Sequence, residues 1–259
     1  MVREGSTAIV TGGGRGIGQS ISVELARRGA DVVVADLDPD EMAETVQLVE
    51  EHGRQAVPVE TDLRDAESVR GTIDRALETF GTIEILVNNA GISGPTSTCD
   101  EMEVAEWDQT LSVNLRGAFL TTRLVVPEMK RQEYGRIVNI ASVTGKRAVA
   151  HRTPYAASKM GLIGFTRSLA AEVGEWDINA NVVCPGSVEG PRIERVFRRH
   201  ARANGGDPQA VKQAQMDQSA RKELVEPESV ARVVAMLCSA DADQMTGQDL
   251  NISAGKVMY

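Results

Sequence analysis

The strongest constraint on this chain is its repeated alternation of short apolar runs with helical stretches. Residues 6–11 form an apolar run that ends in glycines, and residues 17–28 follow with helical spacing, Ile21, Leu25 and Arg28 falling on neighbouring turns. After Gly29, Asp31 opens Val32-Val33-Val34-Ala35, the unbroken apolar pattern of a strand covered on both faces. The same pairing recurs. A helix starts at Pro39 with acidic residues in its first turn, and residues 55–60, 83–87, 136–140, 178–183 and 248–252 read as strands. Residues 66–80, 102–131, 154–174 and 228–239 read as helices. Pro127 is expected to bend or shorten the long stretch at 102–131. This rhythm implies an α/β fold of the Rossmann type: one doubly wound parallel sheet with helices on both faces. Neither a linker nor an internal repeat divides it, so residues 1–259 read as one catalytic domain. Residues 187–224 depart from the rhythm with helix-prone sequence broken at Asn204-Gly205-Gly206-Asp207-Pro208, and are expected to form a helical lid.

Composition narrows the function. The formal charge of −9 argues against a nucleic-acid partner. Aromatic residues make up only 3% of the chain, which leaves a core of Val, Ile, Leu, Ala and Met. Cys99, Cys184 and Cys238 are far apart and odd in number, so neither a disulfide framework nor a zinc site is expected, and no metal is. The first residues lack the apolar stretch of a signal peptide, and no apolar run reaches membrane-spanning length. A soluble cytoplasmic protein without a membrane partner is expected.

The first strand ends in Thr11-Gly12-Gly13-Gly14-Arg15-Gly16-Ile17-Gly18, and a helix follows at once. Glycines there permit a tight turn, let backbone N–H groups approach a pyrophosphate and set it against the helix N-terminus. The spacing is Gly-x-x-x-Gly-x-Gly. Alone it equally fits a plain loop; its place between strand and helix makes it a nucleotide signal. Asp36, at the end of the second strand, is placed to accept adenosine ribose hydroxyls and to repel a 2′-phosphate. Arg15 argues the other way, since a cation there would accept that phosphate. Asp36 is given more weight because its charge is aimed at the phosphate, whereas Arg15 can point to solvent. Asn88-Asn89-Ala90-Gly91 closes the fourth strand with small and amide residues.

Tyr155-Ala156-Ala157-Ser158-Lys159 sets a phenol and an ammonium four apart on one helix face. A free tyrosine titrates near 10. A neighbouring ammonium favours the phenolate and suits the phenol to proton transfer near neutral pH. Such a pair arises by chance in roughly one chain in 14 of this composition, so it does not stand alone. Ser142 follows the fifth strand at the sheet edge, where its hydroxyl can donate to a substrate oxygen; by itself it would serve as a cap or turn residue. Asn114 lies mid-helix, where asparagine is poorly suited.

Taken in order and spacing, Thr11–Gly18, Asp62, Asn88–Gly91, Asn114, Ser142, Tyr155, Lys159 and Pro185-Gly186 resemble the short-chain dehydrogenase/reductase family over nearly the whole chain. The resemblance implies Tyr155 as general acid/base, with Lys159 lowering its pKa and binding the nicotinamide ribose. Ser142 would polarise the substrate oxygen, and Asn114 would hold a water in a proton relay. The cofactor would be NAD, held by Gly12, Arg15, Gly16, Ile17, Gly18, Asp36, Asp62, Leu63, Asn89, Ala90, Gly91, Tyr155, Lys159, Pro185, Gly186 and Val188. Asp62 would contact the adenine, and a homotetramer would be expected. Two positions depart from the family pattern. Gly190 stands where a threonine often bonds the nicotinamide carboxamide, and Ser253-Ala254-Gly255 replaces a common Asp-Gly-Gly.

Between Ser142 and Tyr155 the chain carries Thr144, Lys146, Arg147, His151 and Arg152. His151 and Arg152, together with Thr144 and with Arg192 beyond the Pro-Gly turn, are candidate substrate contacts, and an anionic small molecule is one reading. Solvated side chains or a subunit contact are the other. If residues 192–202 are helical, Ile193, Val196 and Phe197 share a face and most of Arg192, Arg195, Arg198, Arg199 and Arg202 point to water. The leading expectation is an NAD-dependent dehydrogenase of a small secondary alcohol, polyol, sugar or hydroxy acid. The alternatives are a 3-oxoacyl carrier-protein reductase docking an acidic partner and a nucleotide-binding regulator without catalysis. The intact Ser142, Tyr155 and Lys159 set disfavours the last.

Overall fold

The computed structural model describes residues 1–203 and 205–259. Among them, β1 (Thr7–Thr11), α1 (Gly16–Arg27), β2 (Asp31–Asp36), α2 (Pro39–Glu50), β3 (Ala56–Glu60), α3 (Ala66–Phe80) and β4 (Ile85–Asn88) make the first half. The second half runs through α4 (Val104–Leu111), a π-helical turn (Ser112–Arg116), α5 (Gly117–Arg131), β5 (Gly135–Ile140), α6 (Val143–Lys146), α7 (Thr153–Val173) and β6 (Ile178–Pro185). It closes with α8 (Pro191–Ala203), α9 (Pro208–Asp217), α10 (Pro227–Leu237) and β7 (Asp249–Ile252). The strands form one sheet in the order β3-β2-β1-β4-β5-β6-β7, and every pairing is parallel.

The apolar strands alternate their side chains between two layers. Ala8, Val10, Val32, Val34, Ile85, Val87 and Val138 pack with Ile21 and Leu25 of α1 and Val230 and Val234 of α10. Ile9, Val33, Leu86 and Ile137 face the other way, against Ile73 of α3, Val125 and Met129 of α5 and Leu169 and Val173 of α7. A parallel sheet needs both faces covered, and these two clusters cover it.

Two details depart from the sequence expectation. Pro127 lies inside α5 and does not end it. The break in the long helical stretch is instead the π turn at Ser112–Arg116, which holds Asn114. The segment expected to form a lid holds two helices, α8 and α9, and Asp207 caps α9 by accepting from the Gln209 and Ala210 N–H groups. Phe197 and Ala201 are buried beneath α8 while its arginines are exposed, as its pattern predicts. No described helix is long and apolar enough to cross a membrane.

Candidate active site

The sheet order reverses direction at β1, which pairs with β2 on one side and β4 on the other. The carboxyl ends there open a crevice where ligands bind in such sheets. The glycine turn sits in it. Gly18 closes on β1 so tightly that a Cβ would lie 1.9 Å from the Gly12 carbonyl oxygen, and one on Gly12 would lie 2.8 Å from the Ala90 Cα. Asn89 locks the two strand ends together: its Nδ2 donates to the Thr11 and Gly12 carbonyls, and its backbone N–H donates to Thr11 Oγ1. Helix α1 starts at Gly16 with no side-chain cap and no acidic residue in its first turn. Uncapped helix N–H groups require a partner, and an anion supplies one. A Cβ on Gly16 would meet nothing within 4 Å. This cradle fits a dinucleotide pyrophosphate.

Asp36 stands at its rim. Its Oδ2 accepts from Gly14 N at 2.9 Å and its Oδ1 from Leu37 N at 2.8 Å, so two backbone donors fix the carboxylate. Arg15 does not run free into solvent. Its guanidinium pairs with Glu41 on α2, a partner that sequence reasoning did not identify. Leu37, beside Asp36, exposes an apolar side chain. Asp62 is held by Arg64, whose Nε and Nη2 reach its carboxylate at 2.9 and 2.6 Å. That hydrogen-bonded pairing keeps its pKa below the usual carboxylate value. Leu63 buries its side chain with Val69 and Leu120.

On the other side of the crevice, β5 delivers Ser142. Its hydroxyl accepts from Thr144 N at 3.1 Å and caps the short α6. Gly145 lets α6 press against α7, where a Cβ would lie 2.9 Å from the backbone carbon of Lys159. This close approach carries Ser142 toward Tyr155. Lys159 is buried, donates to the Ile140 carbonyl at 2.7 Å and stands 5.9 Å from the Tyr155 ring centre. Burial pushes its pKa down to about 8, with the Tyr155 charge opposing. Burial alone would raise the Tyr155 pKa. Lys159, Arg192, the neighbouring Ser142 hydroxyl and Arg152 outweigh it and hold the phenol below its ordinary value.

Asn114 lies against the same group. Its Oδ1 accepts from Ile92 N at 2.8 Å, and its Nδ2 donates to the Ile92 carbonyl at 3.0 Å and to Ser158 Oγ at 3.1 Å. Ser158 in turn donates to the Tyr155 carbonyl. The side-chain amide is thus committed to protein partners, and it ties the end of β4 to the first turns of α7. Gly91 sits between, where a Cβ would lie 3.0 Å from Asn114 Oδ1 and 3.4 Å from Lys159 Nζ. Behind them a buried polar chain braces the strand ends: Asn88 Nδ2 donates to Asn139 Oδ1, Asn139 Nδ2 to Thr166 Oγ1, and Thr121 Oγ1 to Asn88 Oδ1.

Among the substrate candidates, Arg152 stacks on Tyr155, its guanidinium carbon 4.8 Å from the ring centre. Arg192 is close enough to lower the pKa of both Tyr155 and Lys159. Thr144 is the second residue of α6, and His151 is exposed in a left-handed turn with φ 61. Pro185 ends β6, Gly186 donates to the Ile252 carbonyl and packs on Ser253, and Val188 bridges to Val225. Gly190 has φ 125 with open space around it. A threonine there would be strained, so the backbone itself accounts for the departure. Among the described residues, no cluster of three His, Cys, Asp or Glu side chains is placed to hold a metal ion.

Comparison with known proteins identifies the family. Residues 6–201 match the family model for short chain dehydrogenase. Oxidoreductase UcpA of Salmonella typhimurium is 35% identical over 255 residues, covering 98% of this chain and 95% of that one. The 3-oxoacyl-[acyl-carrier-protein] reductase FabG of Thermotoga maritima is 31% identical, covering 98% and 99%. Among solved structures, NAD+-bound xylitol dehydrogenase superposes with a TM-score of 0.94 at 29% identity, covering 97% and 99%. A family-model match over residues 6–201, with a relative 35% identical across 98% of the chain, means that the chain belongs to the short-chain dehydrogenase family.

Proposed function

We propose that this protein is an NAD(H)-dependent oxidoreductase that interconverts a small secondary alcohol (a polyol, sugar or hydroxy acid) and the corresponding ketone. The observation that carries the reading is the grouping of Ser142, Tyr155 and a buried Lys159 at the ends of β5 and in α7. Bound nicotinamide supplies the hydride donor or acceptor. The chain's own residues handle the proton and the oxygen. Tyr155 takes the hydroxyl proton in oxidation and returns it in reduction. Lys159 holds the phenol near the charge state this requires, and Ser142 donates to the developing oxyanion. Gly12, Arg15, Gly16, Ile17, Gly18, Asn89, Ala90 and Gly91 would form the pyrophosphate side of the cofactor site. Asp36, Asp62 and Leu63 would form the adenosine side, and Pro185, Gly186 and Val188 the nicotinamide side. Asn114 anchors the arrangement, and the water relay assigned to it belongs to the same proposal. Asp36 favours NAD over NADP.

A homotetramer in the cytoplasm completes the reading. Self-association is supported by a surface hollow between α4, α5 and α7 in which Leu111, Leu115, Phe119 and Phe165 lie among polar neighbours, with Phe119 exposed. The Thermotoga relative and the exposed α8 arginines favour one second reading, a reductase of 3-oxoacyl groups on an acidic carrier.

The test is a screen of NAD+ reduction over neutral and anionic alcohols, with Tyr155→Phe as control. Loss of the general acid/base is expected to lower kcat by about 10²–10⁴-fold. Full turnover by Tyr155→Phe would remove that residue from its role.

A further inference from the structure

The arginines of the lid are arranged in a way the reaction above does not use. Arg192, Arg195, Arg199 and Arg202 follow one another at helical spacing, so they form one stripe along α8, opposite the buried Phe197 and Ala201. Among the described residues, Arg195, Arg198, Arg199 and Arg202 line a hollow of about 200 Å³. Among the described residues, Arg198 reaches Glu194 at 3.9 Å, while no carboxylate lies within ion-pair distance of Arg192, Arg195, Arg199 or Arg202. In an acidic chain of net charge −9, this concentrates cations that, apart from Arg198, have no carboxylate within ion-pair reach among the described residues.

The stripe reaches the catalytic centre at its inner end. Arg152 is largely withdrawn from water over the Tyr155 ring and, among the described residues, has no carboxylate partner either. Arg192 and Arg199 lie close enough to press its pKa below the ordinary arginine value, adding to the effect of its own burial. Arg152, stacked over the reacting phenol, thus has the guanidinium groups of Arg192 and Arg199 as its charged neighbours and, among the described residues, no carboxylate to offset them. Guanidinium forks match planar and tetrahedral oxyanions, which they bind bidentately.

We propose that Arg152, Arg192 and Arg199 form an oxyanion subsite beside Tyr155. The substrate is then an alcohol or ketone bearing a carboxylate, sulfonate or phosphate, and Arg195 and Arg202 draw that anion in along the lid. This rests on the assignment of Tyr155 as the proton-transfer group. The guanidinium carbon of Arg152 lies 4.8 Å from the centre of the ring whose hydroxyl must bond the substrate oxygen, so the anionic group would lie close to the reacting carbon.

The test is calorimetric titration of sulfate, inorganic phosphate and acetate into the full-length protein saturated with NADH. The R192Q and R152Q variants are compared with R232Q, which alters an exposed arginine on α10. Saturable binding of at least one anion to the wild type is expected. R192Q and R152Q should each weaken it at least ten-fold, and R232Q should leave it within two-fold. The tightest of the three anions then names the group. R192Q alters an exposed side chain and keeps the test valid if R152Q misfolds. Absence of saturable binding by all three anions, or equal affinity in R192Q and R232Q, would overturn the subsite. Failure of the wild type to take up NADH, followed by its fluorescence, would count against the cofactor reading instead. The anion titration repeated without NADH would then decide the subsite.

Discussion

Replacing Asp36 by serine probes the cofactor choice at its source. The carboxylate is fixed by Gly14 N and Leu37 N, so it cannot swing away from an incoming 2′-phosphate. At a separation of about 4 Å in a half-exposed rim, two unit charges repel by about 1–2 kcal/mol. The phosphate carries about −1.5 to −2, so the wild type is expected to disfavour NADPH by about 2–4 kcal/mol, or roughly 30- to 1,000-fold in Kd. Asp36→Ser removes that repulsion and also two ribose hydrogen bonds to a charged acceptor, worth about 1.5–3 kcal/mol each at most. NADH binding should therefore weaken while NADPH binding strengthens. Arg15 sets the limit of the gain because Glu41 holds its guanidinium. Adding Glu41→Gln frees it and should improve NADPH binding by about a further five- to ten-fold, an exposed-pair effect. Fluorescence titration of both cofactors at fixed ionic strength reads the two constants directly. Equal affinity of the wild type for NADH and NADPH would refute the argument, as would a Kd ratio that Asp36→Ser leaves in place.

Four further outcomes are expected. Alcohol oxidation should fall on the acid side as Tyr155 takes up a proton, and on the alkaline side near pH about 8, where Lys159 gives one up; Lys159→Met should move the acid limb upward and abolish the alkaline one in a pH–rate profile. The same lysine is charged below its folded value of about 8 but, unfolded, up to its ordinary 10.5. Its contribution to stability should therefore rise with pH between those values in denaturant titrations. Ala254 sits in a left-handed conformation with φ 52, so Ala254→Gly should stabilise the fold by about 0.5–1 kcal/mol, strain relief exceeding the entropy of glycine. Phe119→Glu on the exposed α5 surface should convert an assembly of 27.8 kDa chains to smaller species in light scattering; an unchanged mass would locate the interface elsewhere.

Much of this architecture is legible in sequence because parallel strands covered on both faces must be apolar throughout. Val32–Ala35 and residues 178–183 announce themselves this way. Tyr155, Lys159 and Ser142 are legible through spacing and strand ends. What escapes the sequence depends on distant partners. Glu41 reaches Arg15 across a helix, and Arg64 closes on Asp62 through a turn with no periodic signature. The π turn around Asn114 leaves no trace in composition; only the misplaced asparagine hints at it. The four-residue α6 is too short for a periodicity. The lid stripe is readable as a helix face, but its meeting with Arg152 requires the fold.

The π turn at Ser112–Arg116 has a consequence for how length may vary in this region. Such a turn accommodates one more residue than a regular helix of the same rise. Deleting any one residue within it would restore the regular backbone ladder and cost little in local stability. The flanking helices would keep their facing, because the turn carries that residue as an extra one. Asn114 would lose its place in the turn, and with it the hydrogen bonds to Ile92 and Ser158. The segment should therefore tolerate substitution far better than a single-codon deletion. A gap placed between 112 and 116 in an aligned relative would mark a protein that has abandoned this anchor, whatever its overall identity.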